Sequence, residues 1–377
     1  MGAPNKTFSS RNVVTNCGVR PNQDSNGAGE RLPTARAPDL LRALNPAKPL
    51  ITWMESSGAN APWLFLALFV VASVLMIWRL ESMSDCGFEG TVLGTLVMPY
   101  CSGIGNLIFA FLLGRHAGPG AEVMTNSLVN NVTNMTLVIG VPTIIWGMRL
   151  MPAQKRKGKD GSKTHELNRL SLLLTLTAAL FFTGAIWALA RDGKLDSGDG
   201  LVLVGLFLFW QCFHVFDVLK SNVRQNKSLG WMLPLDLALL AVGAYGVYLS
   251  IDWLVNWLQN QPHGGFISAK YLGWLSGWLM VLPNGMLALY YGWRGRPEII
   301  YTSQVGDGHI CIPLCVGIYA LYHTLVVPAL FQTGVLILLG ATLVHILFVT
   351  LFGRLPRFMG WVLVAGYGWF LYRGLPR

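Results

Sequence analysis

TNSLVNNVTNMTLVIG, residues 125–140, sets four asparagines (Asn126, Asn130, Asn131 and Asn134) in an otherwise apolar run. TSQVGDGHICIPLCVG, residues 302–317, repeats its layout 177 positions later. Thr125 meets Thr302, Leu137 meets Leu314 and Gly140 meets Gly317, while Asn126 stands over Ser303, Asn130 over Asp307 and Asn131 over Gly308. Upstream, GNLIFAFLLG (105–114) lies over PNGMLALYYG (283–292) at an offset of 178, pairing Asn106 with Asn284 and Gly114 with Gly292. Pro119 meets Pro297 at that same offset. The chain reads as one pair of helices written twice.

The rest of the sequence says what kind of helices these are. Of 377 residues, 53% are hydrophobic and 12% charged, about half the charge of a soluble domain. Runs such as PWLFLALFVVASVLMIWRL (62–80) and LFQTGVLILLGATLVHILFVTLF (330–352) suit bilayer-spanning helices of about 20 residues. The expected fold is an all-α polytopic membrane protein with about ten spans, at 62–80, 88–113, 121–149, 168–190, 199–219, 230–257, 271–293, 298–322, 326–352 and 357–374. Five spans fall in each half, 61–220 and 221–377, with the repeated pairs at about 88–149 and 271–322. Halves with an odd number of spans enter the membrane from opposite sides, the mark of an inverted repeat whose site lies where the halves meet. Residues 1–60 are polar and expected to be disordered. They contain no signal-peptide core, and Met54, just before the first span, is a second candidate start.

The net charge of +10 belongs to loops rather than to a nucleic-acid surface. Lys155, Arg156, Lys157, Lys159 and Lys163, then Lys220, Arg224 and Lys227, and finally Arg294, Arg296, Arg354 and Arg357 fall on one expected side. Asp192, Asp196 and Asp199 mark the other. The expected location is a bacterial cell (inner) membrane with the basic loops cytoplasmic and both termini outside. Seven Lys/Arg before residue 50 oppose that placement. The expected partners are the lipid bilayer and inorganic cations, with no nucleic acid and a protein partner left open. The six cysteines lack CxxC spacing and read as small hydrophobes. The Asn-x-Thr triplets at 131 and 134 are intramembrane and take no glycan. No nucleotide loop, zinc motif or catalytic triad is present, so the chain is not expected to be an enzyme.

Positions 126, 130 and 134 share one helix face, widened by Ser127 and Asn131, and 303, 307 and 311 form the matching stripe. Such side chains either bond across helices as packing glue or coordinate a dehydrated cation. His309 diverges by about 200° from Asp307 and reads as a locally bonded buried histidine rather than a proton-coupling group. Asp217, near Lys220, is expected to pair at the interface, and the intramembrane Asp236 is a functional candidate by default.

These residues resemble the alpha-repeats of the cation/calcium exchanger superfamily, which includes the sodium/calcium exchangers. Asn126, Asn131 and Asn134 fall on the asparagines of its GNxxGSNxxN pattern and Asn130 on its serine; in the second repeat Gly306 is retained, Asp307 takes the serine position, and Gly308 and Cys311 replace asparagines. The resemblance implies ten spans in two inverted halves and cation antiport by alternating access, with spans one and six moving against the rest. The family's main calcium ligands are glutamates after a proline; here Asn284 follows Pro283, and the repeat places Asn106 at the equivalent position. The implied ion-binding residues are Asn106, Asn126, Asn130, Asn134, Asn284, Ser303 and Asp307. No cofactor or further metal is expected beyond the transported cation (sodium, calcium or proton). Asp307 is the one carboxylate on the aligned stripes, and calcium favours several anionic oxygens, so the expected ion selectivity is altered toward a monovalent ion. A transport-inactive membrane scaffold or complex subunit, and a carrier of an uncharged solute, stand as alternatives.

Overall fold

A computed structural model describes residues 47–85, 98–116, 118–150, 159–223, 233–262 and 265–376. The chain falls into two units, Met1–Trp53 and Met54–Arg377. Within the first, the described residues belong to the start of a short helix, α1 (Lys48–Ser56). The described part of the second is mainly helical: α2 (Ala61–Asp85), α3 (Met98–Arg115), α4 (Gly120–Trp146), α5 (Lys159–Leu189), α6 (Ser197–Val223), α7 (Leu233–Gln259), α8 (Leu272–Trp293), α9 (Pro297–Tyr322), α10 (Phe331–Phe352) and α11 (Arg357–Gly374).

Among the described residues, seven helices are long and apolar enough to cross a membrane. The other three expected spans coincide with helices α3, α6 and α11. Several ends move. α3 is described from Met98, so an expected start at 88 lies outside the described residues. α6 runs to Val223, past the half boundary expected at 220. α10 begins at Phe331, because Leu325–Val326 is a short strand instead. The tail before residue 47, most of the basic loops and the Asp217 side chain also lie outside the described residues.

Two-residue strands fix how the helices run. β1 (Met148–Arg149), just after α4, pairs with β4 (Arg354–Leu355), just before α11. β2 (Lys194–Leu195), just before α6, pairs with β3 (Leu325–Val326), just after α9. Helix α5 leads from the first pair to the second, so α4 and α9 end at opposite ends of the bundle. They are antiparallel copies, as an inverted repeat requires.

The copies agree in backbone detail. The middle of α4 opens into a π-helical stretch at Thr133–Val138, and the middle of α9 into another at Ile310–Val316. Both begin at repeat-equivalent positions, 133 and 310. A π turn strands main-chain groups inside the membrane, where they must find partners within the protein. Thr133 and Thr136 donate their hydroxyls to Val129 O and Val132 O, and Pro313 has no N–H to strand.

Each copy then crosses the fifth helix of the opposite half through glycines. A methyl group placed on Gly360 of α11 would lie 2.7 Å from Gly140 O of α4, and one on Gly200 of α6 would lie 2.9 Å from Gly317 O of α9. Gly273 and Gly277 of α8, spaced as a small-xxx-small motif, seat α8 on α4: methyls there would lie 2.7 Å from Thr125 Cβ and 2.8 Å from Val129 Cβ. The backbones therefore approach closely around the polar stripes. Helices α2 and α7 pack mainly on each other, with Met76 over Gly243 and Phe65 stacked on Trp253 at 4.2 Å.

Candidate functional site

Asp307 lies fully buried on α9, three residues before the π stretch. Three asparagines from two other helices and one sequence neighbourhood converge on its Oδ2. Asn134 Nδ2 donates at 2.8 Å, Asn130 Nδ2 at 3.1 Å and Asn284 Nδ2 at 3.1 Å. Asn134 also donates to Asn130 Oδ1 at 2.9 Å, and Asn130 donates to Cys311 Sγ at 3.1 Å. Helices α4, α8 and α9 thus meet at one carboxylate. Hydrogen bonds to a charged acceptor in a low-dielectric interior are the strong ones, at roughly 1.5–3 kcal/mol each.

Two of these amides, and that of Asn126, leave their carbonyl oxygens unused. Asn126 Oδ1, Asn134 Oδ1 and Asn284 Oδ1 are buried and have no hydrogen-bond partner, and neither do Ser127 Oγ and Gln304 Oε1. Both ends of the Asn131 amide are also unpartnered. Each such group costs about 1–3 kcal/mol when left without a partner. Beside the carboxylate, the free oxygens of Asn134 and Asn284 are of the kind that a dehydrated cation takes.

The other residues picked from sequence are not all in the cluster. Asn126, one turn before Asn130, donates to Ser276 Oγ of α8 at 3.0 Å. Ser303, one turn before Asp307, turns back to Ile300 O at 3.1 Å and accepts from Gln304 Nε2 at 3.0 Å. Asn106 is fully buried on α3 but does not join the network, and both ends of its amide lack partners. Helix α3 meets the carboxylate through Gly103 instead: a methyl there would lie 3.0 Å from Asp307 Oδ1. Asn284 thus contacts Asp307 directly, and Gly103 covers the other carboxylate oxygen.

Asp236 is buried on α7 and pairs with Arg79 of α2 at 3.4 Å, joining the two helices of one pair. His309 follows the sequence reading. Its Nε2 meets Thr175 O of α5 at 2.9 Å, and the ring sits edge-on to Phe182 and Trp210. Glu122, at the start of α4, accepts the Gly273 N–H of α8 at 2.6 Å.

His345 was not anticipated. From α10 its Nε2 meets Met135 O in the π stretch of α4 at 2.9 Å, and its Nδ1 meets the Tyr301 hydroxyl of α9. One buried ring thus ties together the two helices that carry the cluster. A lone histidine in an apolar span gives no pattern to read. Ser276 carried a usable signal, since it sits inside the Gly273–Gly277 motif. A cavity of about 340 Å³ between α2, α7 and α8 reaches this serine, which is the hydroxyl in a lining that includes Trp63, Leu66, Ile251, Leu272 and Met280.

Among the described residues, no three His, Cys, Asp or Glu side chains gather to hold a resident metal ion. The site is a single carboxylate dressed by amides.

Residues 62–216 match the family described as "Sodium/calcium exchanger protein". A comparison with curated proteins returned no match. Among solved structures, the fold is similar to that of the sodium-calcium exchanger NCX_Mj. Soaked with 2.5 mM Na+ and 10 mM Sr2+, that structure aligns with a TM-score of 0.59 at 18% identity, covering 83% of this chain and 97% of that one. With zero Na+ and Ca2+ the TM-score is 0.56 at 20% identity, covering 81% and 94%. With 100 mM Na+ and 10 mM Sr2+ it is 0.54 at 20% identity, covering 83% and 100%.

Proposed function

We propose, for a chain that is a divergent relative of the sodium/calcium exchangers, that it moves a cation across the membrane by alternating access and favours a monovalent ion over calcium. The observation that carries this reading is the convergence of Asn130, Asn134 and Asn284 on Asp307. An amide presents either its NH2 or its carbonyl. With the NH2 inward it holds the carboxylate; rotated by half a turn, it offers oxygen to a cation beside that carboxylate. The cluster can thus balance its own charge at either stage of a transport cycle, and no energy source beyond an ion gradient is needed.

Selectivity follows from charge. Calcium binding strengthens with the number of anionic oxygens, and this cage supplies one carboxylate. The apolar cavity reaching Ser276 supports an approach to the stripe between α8 and the α2–α7 pair, and the self-contained packing of α2 on α7 supports their motion as a unit. The basic loops are read as cytoplasmic. The test is flux in proteoliposomes under separate sodium, potassium, calcium and proton gradients. Sodium- or potassium-driven flux that is lost in Asp307→Ala supports the reading, and flux unaffected by the substitution refutes it. A second reading, an inactive scaffold, draws on the same hydrogen bonds as packing glue. It predicts no flux of any cation and no ion-dependent thermal shift.

A further inference from the structure

Cys311 stands where the first repeat has Asn134. It is fully buried in the π stretch of α9, and its Sγ lies 3.1 Å from Asn130 Nδ2. That same nitrogen lies 3.1 Å from Asp307 Oδ2. One turn on, Cys315 is also fully buried; the first repeat has Val138 there. A buried cysteine is ordinarily a small hydrophobe. This one faces an amide donor and a carboxylate, beside the unpartnered oxygens Asn134 Oδ1 and Asn284 Oδ1.

The Asn130 NH2 occupies a point equidistant from a sulfur and a carboxylate oxygen. Turning that amide over, which gives up the Asn134 hydrogen bond to its Oδ1, brings this oxygen to that point and leaves a cation a place among the oxygen, the sulfur and the carboxylate. We propose that Asp307 Oδ2, Cys311 Sγ and Asn130 Oδ1 form a binding site for a thiophilic divalent cation, of the class of Cd2+ and Zn2+. Coordination forms a metal–sulfur bond and breaks the S–H bond, and the proton leaves to solvent. The thiolate then supplies the second negative charge that the cage otherwise lacks. A +2 ion meets one carboxylate and one thiolate, so the filled site is close to neutral. Calcium, a hard ion that takes oxygen ligands, does not bind sulfur in this way. The single thiol therefore makes the cavity divalent for soft ions and monovalent for hard ones. Asp307 and Cys311 are two ligands and an amide is the third.

The experiment uses the full chain in detergent with Cys17, Cys86, Cys101 and Cys212 replaced by serine, so that the thiols are Cys311 and Cys315 alone. The melting temperature is followed during titration with CdCl2 and, separately, with CaCl2. Cd2+ is expected to raise it at concentrations at least about tenfold below those at which Ca2+ acts. C311N installs the amide of the first repeat, and it is expected to weaken the Cd2+ response about tenfold or more. D307N is expected to weaken the Cd2+ response as well. If C311N alters the melting temperature without ions, C311S and the sulfur-to-cadmium absorption band of the parent protein carry the test. An unchanged Cd2+ response in C311N and C311S, or Ca2+ acting at the same concentrations as Cd2+, overturns the proposal. The proposal shares its cluster with the transport reading, but binding is read without flux, so failure of transport leaves it standing.

Discussion

Helices α4 and α9 are the same backbone written with different charges. Both run antiparallel through the centre, both open into a π stretch at equivalent positions, and both cross a fifth helix at a pair of glycines. Their side chains then part company. α4 offers amides at 126, 130, 131 and 134, whereas α9 offers Ser303, Asp307, Gly308 and Cys311 at the equivalent positions. The symmetry is kept where main chains touch, since a methyl at Gly140, Gly200, Gly317 or Gly360 meets carbonyl oxygen within about 3 Å. It is broken where side chains gather around Asp307. Close packing constrains the first set and does not constrain the second.

Restoring carboxylates should break the comparison most. Asn284→Glu places a second acid beside Asp307, and it is expected to raise calcium affinity by about tenfold or more, because affinity follows ligand charge count. Calcium-dependent melting temperature reads this. Asn106→Glu is expected to do less, because Asn106 stands outside the network. Next come the glycine crossings. Gly360→Ala and Gly200→Ala each force a methyl against main chain, and each is expected to cost about 1–3 kcal/mol. Equal costs in thermal denaturation would sharpen the symmetry, and a large inequality would break it. His345→Phe removes a group that bonds both copies at once, and its expected cost is about 1–3 kcal/mol, with a loss of ion response larger than the loss of stability. The smallest effect is expected for Ser303→Ala. That hydroxyl turns back to its own helix, so ion-dependent flux should change by less than about twofold, an energy below about 0.5 kcal/mol.

How much of this could be read from sequence depends on which force sets each feature. Helix positions were legible, because long apolar runs and their breaks answer directly to the bilayer. The repeat was legible from Asn106, Pro119, Gly140 and their partners. Asn130 and Asn134 could be anticipated as a stripe and Asn284 as a companion from the neighbouring helix, yet the pattern did not say which oxygen they meet. The π stretches were hidden, since they come from tertiary packing and threonine back-bonding rather than from a local signature. That α3 approaches the carboxylate through Gly103 was not legible from the repeat alignment, which points to Asn106. The Arg79 partner of Asp236 was hidden too, lying 157 positions away. The two-residue strands are too short to leave any period, although they show most directly which way α4 and α9 run.

The most direct test moves the charge from one copy to the other. Radiolabelled sodium uptake is measured in proteoliposomes holding the wild-type chain, D307N, or the exchanged pair N130D/D307N. The cage account predicts uptake in the wild type, a loss of at least about tenfold in D307N (about 1.4 kcal/mol), and substantial recovery in the exchanged pair, because position 130 stands across a 3.1 Å contact from position 307. Equal uptake by wild type and D307N would contradict it.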